Sequence, residues 1–351
     1  MKRYGNLFEK ICGFANLLRA YKQASRCKRY RPYTLGFTYD LEANLLKLQH
    51  ELLNQAYRHG SYHEFYVYDP KMRKISAAPF RDRVVHHAFC NVIEPIFDRI
   101  FIYDSYACRV GKGAHAVVDR LTEFLRERER ERESNVGGDF YAFKCDIRKY
   151  FASIDHKILL ELIMHKIKGR ETLWLINEIL RSNNTDCGIP IGNLTSQLFA
   201  NIYLNKLDHF VKEELRIRHY IRYVDDFVIL EDSKKALHNI KKTIRDFLTD
   251  NLRLALHPKK QIIFPARLGI DFLGYRVWRT HRMLRKDSVR RMRRKLRKFA
   301  RLYSAGVINL SKIRQSLVSW LGHARHADTY NLRRRLFLNR DSGYFSARLT
   351  L

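Results

Sequence analysis

Apolar residues recur along this chain with two different periods, and the places where the period changes divide it. Between Asp40 and Gly60, Leu41, Leu45, Leu48, Leu52 and Ala56 fall at the spacing that lines one face of a helix, and Gly60 offers a C-terminal stop. The next stretch, SYHEFYVYDPKMRKIS, alternates and reads as two strands turning at Asp69-Pro70, with Lys71, Arg73 and Lys74 on or just after the turn. Helical spacing returns in FRDRVVHHAFCNVIEPIF and again in LTEFLRERERERES. The charged run of the latter, Arg126 to Glu133, reads as a solvated helix end.

NVGGD breaks that helix and introduces a strand, FYAFKCDI. A helix from about Asp155, the glycine-bearing GIPIGNLTSQ, another helix, a hairpin around Tyr223, a helix from Lys234 to Leu248 and short strands through DFLGYRVW follow. Strands interleaved with helices, one strand pair being a hairpin, predict an α+β fold with helices on one face of a sheet. The last seventy residues differ: Val289, Met292, Leu296, Phe299 and Tyr303 share one helical face, while eight of the twelve residues from Arg290 to Arg301 are Lys or Arg. An apolar stripe docks such a helix and leaves Arg290, Arg291, Arg293, Arg294, Lys295, Arg297 and Lys298 to neutralise phosphates.

Charge strengthens that reading. The 351 residues carry 67 Lys and Arg against 36 Asp and Glu, a formal net charge of +31, so a polyanion is the expected partner. An aromatic content of 13% favours nucleic acid, whose bases stack on rings. The six cysteines show no paired spacing and read as reduced thiols. No apolar stretch is long enough to span a bilayer and no signal peptide is apparent, so the expectation is a soluble, cytoplasmic protein with no membrane partner.

Against this background IRYVDDFVIL, residues 221 to 230, is anomalous, because carboxylates are costly inside an apolar, β-prone run. Asp225-Asp226 reads as the turn of an ordinary hairpin, and also as a metal site, since hard divalent cations take oxygen ligands. The metal reading needs a further carboxylate. Asp146 supplies a candidate at the end of the apolar strand in FKCDIRKYF, and a pair on adjacent strands can bracket two ions roughly 3.5–4 Å apart for phosphoryl transfer. Asp155 is more simply a helix N-cap.

YVDD, CDIRKYF before it, FLGY after it, and PFRDRVVHHAFCNVIEPIFDRIFIYDSYACRVGKGAH upstream together resemble the ordered motifs of reverse transcriptases, over about residues 70 to 280. GIPIGNLTSQLFANIYLNKLD narrows the resemblance, because most of the family carries Gln after that Pro, whereas IGNLTSQ is similar to the diversity-generating retroelement group, within the group II intron-like superfamily. The resemblance implies a right-hand polymerase fold of α+β class. Its parts would be an N-terminal helical segment at 1–60, fingers at 61–138, a catalytic palm with part of the fingers inserted at 139–279, and a basic helical thumb with tail at 280–351.

Carried onto this chain, the resemblance makes Asp146 and Asp225 ligands of two Mg2+ ions, with Mn2+ able to substitute and Asp226 assisting. Lys260 resembles the lysine that protonates departing pyrophosphate, with Lys259 an equally plausible occupant. Lys71, Arg73 and Lys74 resemble the triphosphate-holding residues of the fingers. Phe151 matches the ring that excludes a 2′-hydroxyl, Ile191, Gly192 and Gln197 fall in the nucleotide-binding segment, and Gly192 lets the backbone approach the nucleotide. Phe272, Leu273, Gly274 and Tyr275 resemble the primer grip.

The implied activity is RNA-directed DNA polymerisation that makes error-prone, adenine-mutagenic cDNA from a retroelement template, in a bacterial or phage-encoded setting. The implied partners are template RNA, cDNA, deoxynucleoside triphosphates and a small basic accessory protein. A faithful retron-type or intron-derived polymerase is the alternative. A non-catalytic RNA-binding protein would be expected to have lost an aspartate, and none is missing. Little room is expected for an RNase H, integrase or endonuclease domain; VGKGAH is not a P-loop, and His323-x-x-His326 lacks the partner spacing of a zinc site.

Overall fold

In the computed structural model, which describes residues 2–68, 71–134, 139–183 and 185–337, the periodicities become elements in the expected order. Helices α1 (Phe8–Cys12), α2 (Phe14–Ala24), α3 (Pro32–Tyr39) and α4 (Leu41–Leu53) precede the antiparallel hairpin of β1 (His63–Val67) and β2 (Arg73–Ala77). Helices α5 (Phe80–Asp98) and α6 (Ala114–Ser134) lead to β3 (Tyr141–Ile147); α7 (His156–Met164), α8 (Arg170–Arg181) and α9 (Leu194–His209) then separate it from β4 (Tyr220–Tyr223) and β5 (Asp226–Glu231). After α10 (Lys234–Leu252) comes β6 (Leu256–Pro265), then β7 (Ile270–Phe272), β8 (Tyr275–Val277) and β9 (Arg282–Leu284), and helices α11 (Lys286–Ser304), α12 (Leu310–Ala324) and α13 (Tyr330–Phe337). The central sheet has strand order β4-β5-β3-β6, and β7-β8-β9 form a separate antiparallel sheet. This is the mixed helical and sheet composition of a right-hand polymerase fold. The expected turn at Asp69-Pro70, the break at 135–138 and the tail beyond Phe337 lie outside the described residues.

The chain divides into two compact units. The first comprises Met1–Gly111, Lys144–Val228 and His238–Ile262. Its core is built where α5 packs on α2 and α9, with Val84, Val85, Phe89, Ile93 and Phe97 of α5 buried and the Phe89 ring edge-on to Phe199 at 5.9 Å. Each such side chain stabilises by about 1.5–3 kcal/mol relative to exposure. The second comprises Lys112–Phe143, Ile229–Leu237 and Ile263–Leu351; α6 packs on β8, and α11 packs on α12 through Met292, Leu296, Phe299, Ile313 and Leu317.

Three local expectations need correction. α4 stops at Leu53, short of Ala56 and Gly60: Gln55 takes φ +55° and the N–H groups of Ala56 and Tyr57 both return to the Glu51 carbonyl, at 2.8 and 2.9 Å. Beyond that exit Tyr57 is buried, and its hydroxyl donates to Asp82 at 2.8 Å. The charged run of α6 is not a solvated end throughout: Arg128 pairs with Glu131 at 2.9 Å and with Asp232, Arg126 Nε donates to the Arg279 carbonyl at 2.9 Å, and Glu129 is buried. Tyr303, expected on the docking stripe of α11, is exposed at its last turn.

Candidate active site

β4 and β5 are joined by a two-residue turn, Val224-Asp225, and Asp226 is already the first residue of β5. Val224 has φ +55°, a left-handed conformation that crowds a β-branched side chain and costs on the order of 1–3 kcal/mol. The turn persists because the strand before it is clamped: the Arg222 guanidinium, buried against the Asp208 carboxylate, also donates through Nη1 to the Val224 carbonyl at 2.9 Å.

Asp146 reaches the same place from β3. The Ile147 N–H donates to the Asp225 carbonyl at 3.2 Å and the Arg148 N–H to the Ala255 carbonyl at 2.8 Å, which ties the end of β3 to the hairpin turn and to the approach to β6. The two carboxylates feel each other. Burial first, and then the Asp146 charge, push the Asp225 carboxyl above the ordinary aspartate value, while Lys260 and Arg73 pull part of the way back. Lys260, on β6, places its ammonium against Asp146 Oδ2; Lys259 is exposed and is not the partner.

The Asp226 carboxylate, first on β5, faces the ammonium of Lys144, two residues before Asp146 on β3, at 3.6 Å. Among the described residues no group of three or more His, Cys, Asp or Glu side chains is arranged to hold a metal ion. The donor set of Asp146 and Asp225 nonetheless fits a hard divalent cation: two half-buried carboxylates of the right chemistry repel each other, and a cation relieves that repulsion, as the Lys260 ammonium does in part.

The nucleotide-side candidates separate clearly. Lys71, Arg73 and Lys74 are all exposed, but Lys74 is engaged by Glu64 across the hairpin at 2.8 Å, whereas the Arg73 charge is felt at Asp225. The segment bearing Ile191 and Gly192 is bound to β2: Ser76 N–H donates to the Ile191 carbonyl at 2.9 Å, and the Asn193 side chain accepts from Ala78 N–H at 3.1 Å and donates to the Ser76 carbonyl at 3.0 Å. Gly192 has φ +121°, and a Cβ there would lie 2.8 Å from Ile75 Cγ2, so the close approach that requires glycine is to the protein's own β2. Ile191 is 37% exposed.

Phe151 is half-buried on the turn after β3, its carbonyl accepting from Ile189 N–H at 2.8 Å and its ring edge-on to Tyr150, so it is not a core residue. Gln197 is exposed on the first turn of α9 and lines a small pocket with Glu94, Asp98, Phe101, Arg109 and Leu198, none of them a contact of the aspartate pair.

In the second unit, Phe272 pairs with Tyr275 across Leu273 and Gly274, both with positive φ, the two-residue hairpin turn whose twist matches the strands. Phe272 and Tyr275 are buried, and the Tyr275 hydroxyl bonds His323 Nδ1 and its carbonyl, each at 2.8 Å. Of the four candidate grip residues, therefore, Leu273 and Gly274 offer the accessible surface. On α11 all seven basic candidates are exposed, opposite buried Met292, Leu296 and Phe299. His326 stacks on His115 with ring centroids 3.5 Å apart.

Sequence reasoning missed Arg222 and Asn193. The signal for Arg222 was present in the same form as that for the aspartates, a charge in an apolar strand; Asn193 carried none.

A family model described as Reverse transcriptase (RNA-dependent DNA polymerase) matches residues 68–277. Protein YkfC of Escherichia coli (strain K12) is 25% identical over 294 residues, covering 71% of this chain and 73% of that protein. Group II intron-encoded protein LtrA of Lactococcus lactis subsp. cremoris is 26% identical over 293 residues, covering 63% of this chain and 47% of its own length, so this chain spans under half of that relative. Among solved structures, apo telomerase from Candida tropicalis, truncated from its C-terminal domain, has a TM-score of 0.47 at 12% identity, over 69% of this chain and 60% of that one.

Proposed function

This chain belongs to the reverse transcriptase family, with relatives of the group II intron type, and we propose that it is an RNA-directed DNA polymerase whose catalytic carboxylates are Asp146 and Asp225. The observation that carries the assignment is their convergence, with Asp225 held above its ordinary value by burial and by Asp146. Divalent ions, Mg2+ with Mn2+ able to substitute, would be held by this pair with Asp226 alongside, and would activate a primer hydroxyl and stabilise charge on the phosphoryl oxygens.

The chain's own groups do the rest by position and charge. Arg73, exposed and felt at Asp225, is the best placed of the three fingers cations to meet a triphosphate. Lys260 stands beside Asp146, where it can give a proton to departing pyrophosphate. Phe151 forms a wall against a 2′-hydroxyl, and Asn193 holds the Ile191–Gly192 segment on β2 so that nucleotide selection rests on a fixed surface. Exposed basic residues of α11 neutralise template and cDNA phosphates, and Leu273-Gly274 contacts the primer. The division into fingers at 61–138, palm at 139–279 and thumb at 280–351 belongs to this reading.

Within the family, Ile191 supports the mutagenic reading: a diversity-generating retroelement polymerase that miscopies template adenines, with a small basic accessory protein, in the cytoplasm of a bacterial host. No helix among the described residues is long and apolar enough to cross a membrane. A faithful intron-type polymerase is the second reading, favoured by intron-encoded relatives such as LtrA. Sequencing cDNA made by the purified protein on a defined RNA, with Asp225→Asn as control, decides between them. Substitutions concentrated opposite adenine carry the first reading, a low and even spectrum the second, and no cDNA from the wild type would overturn both.

A further inference from the structure

Arg222 is 1% exposed, in a strand whose neighbours Tyr220 and Ile221 are also buried, and a buried guanidinium persists only when its charge and donors are met. Asp208, 0% exposed, meets the charge in a two-pronged pair: Arg222 Nε donates to Oδ1 at 2.7 Å and Nη2 to Oδ2 at 2.5 Å, and the Tyr220 hydroxyl adds a bond to Oδ1 at 2.7 Å. That pair accounts for Arg222 as a core residue. It does not account for the rest of the fork. Nη2 also donates to Ser105 Oγ at 3.1 Å, and Nη1 donates to the Val224 carbonyl at 2.9 Å.

The Val224 carbonyl belongs to the peptide that leads into Asp225, so a bond to it fixes the tilt of that peptide plane. The plane needs fixing, because Val224 is held at φ +55°, where a β-branched residue does not rest unaided. The clamp is itself anchored: the Arg222 N–H donates to the Asp104 carbonyl and the Arg222 carbonyl accepts from Tyr106 N–H, both at 3.0 Å. We propose that Arg222 is a positioning residue for Asp225, holding the strained Val224 turn in the one orientation that presents the Asp225 carboxylate beside Asp146. The inference rests on the reading of Asp225 as a holder of divalent ions.

Full-length variants are titrated with Mn2+, read by the signal of free ion, and assayed for primer extension. Wild type against Asp225→Asn first tests the site: equal Mn2+ binding by the two would sink the metal reading and the clamp with it, an outcome separate from any effect at Arg222. Arg222→Lys keeps a cation for Asp208 but lacks the second arm that reaches Val224. It should bind Mn2+ about tenfold more weakly and lose about tenfold in kcat, with the KM for nucleotide little changed. Adding Val224→Gly should restore most of both losses, since glycine adopts positive φ without strain and the turn then needs no clamp. A purely structural Arg222 predicts no such rescue, so a folded Arg222→Lys with normal Mn2+ affinity, or one that Val224→Gly leaves unrepaired, overturns the proposal. Should Arg222→Lys prove insoluble, Ser105→Ala decides, because it spares the Asp208 pair while loosening the fork: Mn2+ binding weakened about threefold supports the clamp, and unchanged binding overturns it.

Discussion

The Ile147 N–H donates to the Asp225 carbonyl at 3.2 Å, and this bond sets the position of the end of β3 against the hairpin turn. Because successive residues of a strand face opposite sides, a slip of one residue in that pairing would carry Asp146 away from Asp225. The bond thus holds together two carboxylates that repel each other.

Asp225→Asn removes a charge that is buried at a cost, so the variant should be as stable as the wild type or more so. Primer extension should fall by on the order of a thousandfold while RNA affinity stays within about twofold, since only charge stabilisation of the reaction is lost. Extension at near wild-type rate, beside an unchanged melting temperature, would remove Asp225 from the chemistry.

The same group makes a pH-dependent prediction. Its folded value lies above its unfolded one, so the unfolded chain releases this proton first as pH rises. Asp225 therefore subtracts nothing from stability below the ordinary aspartate value, subtracts progressively between that value and its raised folded value, and subtracts a constant amount above. Melting temperatures of wild type and Asp225→Asn should coincide at the acid end and diverge in favour of the variant through that window. Curves that stay parallel would mean the Asp225 carboxyl is not raised.

Gly192→Ala places a Cβ 2.8 Å from Ile75 Cγ2 at φ +121°. Strain of about 1–3 kcal/mol should appear as a lowered melting temperature, with weaker nucleotide binding as β2 and the Ile191 segment part. Combining it with Ile75→Ala should recover only the portion due to the clash, because the backbone angle remains unfavourable for alanine. Full recovery would show that space alone requires glycine there.

Phe151 is half-buried rather than sealed in the core, which leaves part of its ring free to act as a wall. Phe151→Ala should admit ribonucleoside triphosphates in direct competition with deoxynucleotides, with discrimination falling about tenfold or more. Unaltered discrimination would return the ring to a packing role.

Ile191 is more than a third exposed, and its aliphatic side chain has no hydrogen bond to offer an incoming nucleotide. A glutamine at this position could supply one worth about 0.5–1.5 kcal/mol to a correctly placed nucleotide, hence roughly two- to tenfold in discrimination. On one RNA copied by both proteins, Ile191→Gln should lower substitutions opposite template adenine by that factor. Equal spectra would move any infidelity elsewhere.

Sequence by itself determined what depends on near neighbours. The apolar stripe of α11 was legible because Met292, Leu296 and Phe299 are spaced by the helix period itself, and the Asp155 cap because its carboxylate accepts from Lys157 and Ile158, at 2.9 and 3.1 Å, within the same turn. The hairpin around Asp225 was legible because two β-prone runs flank it. Tertiary structure decided everything that joins distant residues. Arg73 rather than Lys74 is felt at Asp225, because Lys74 is taken by Glu64 on the neighbouring strand; Lys260 rather than Lys259 meets Asp146, although both carry the same charge. Asp226, adjacent to Asp225 in the chain, meets the Lys144 ammonium of β3. Periodicity records which face of an element is buried, but not which remote charge waits on that face. Only the folded sheet brings Asp146, Asp225 and Lys260 together, and only the buried Asp208 makes an arginine tolerable two residues before the turn's aspartate peptide.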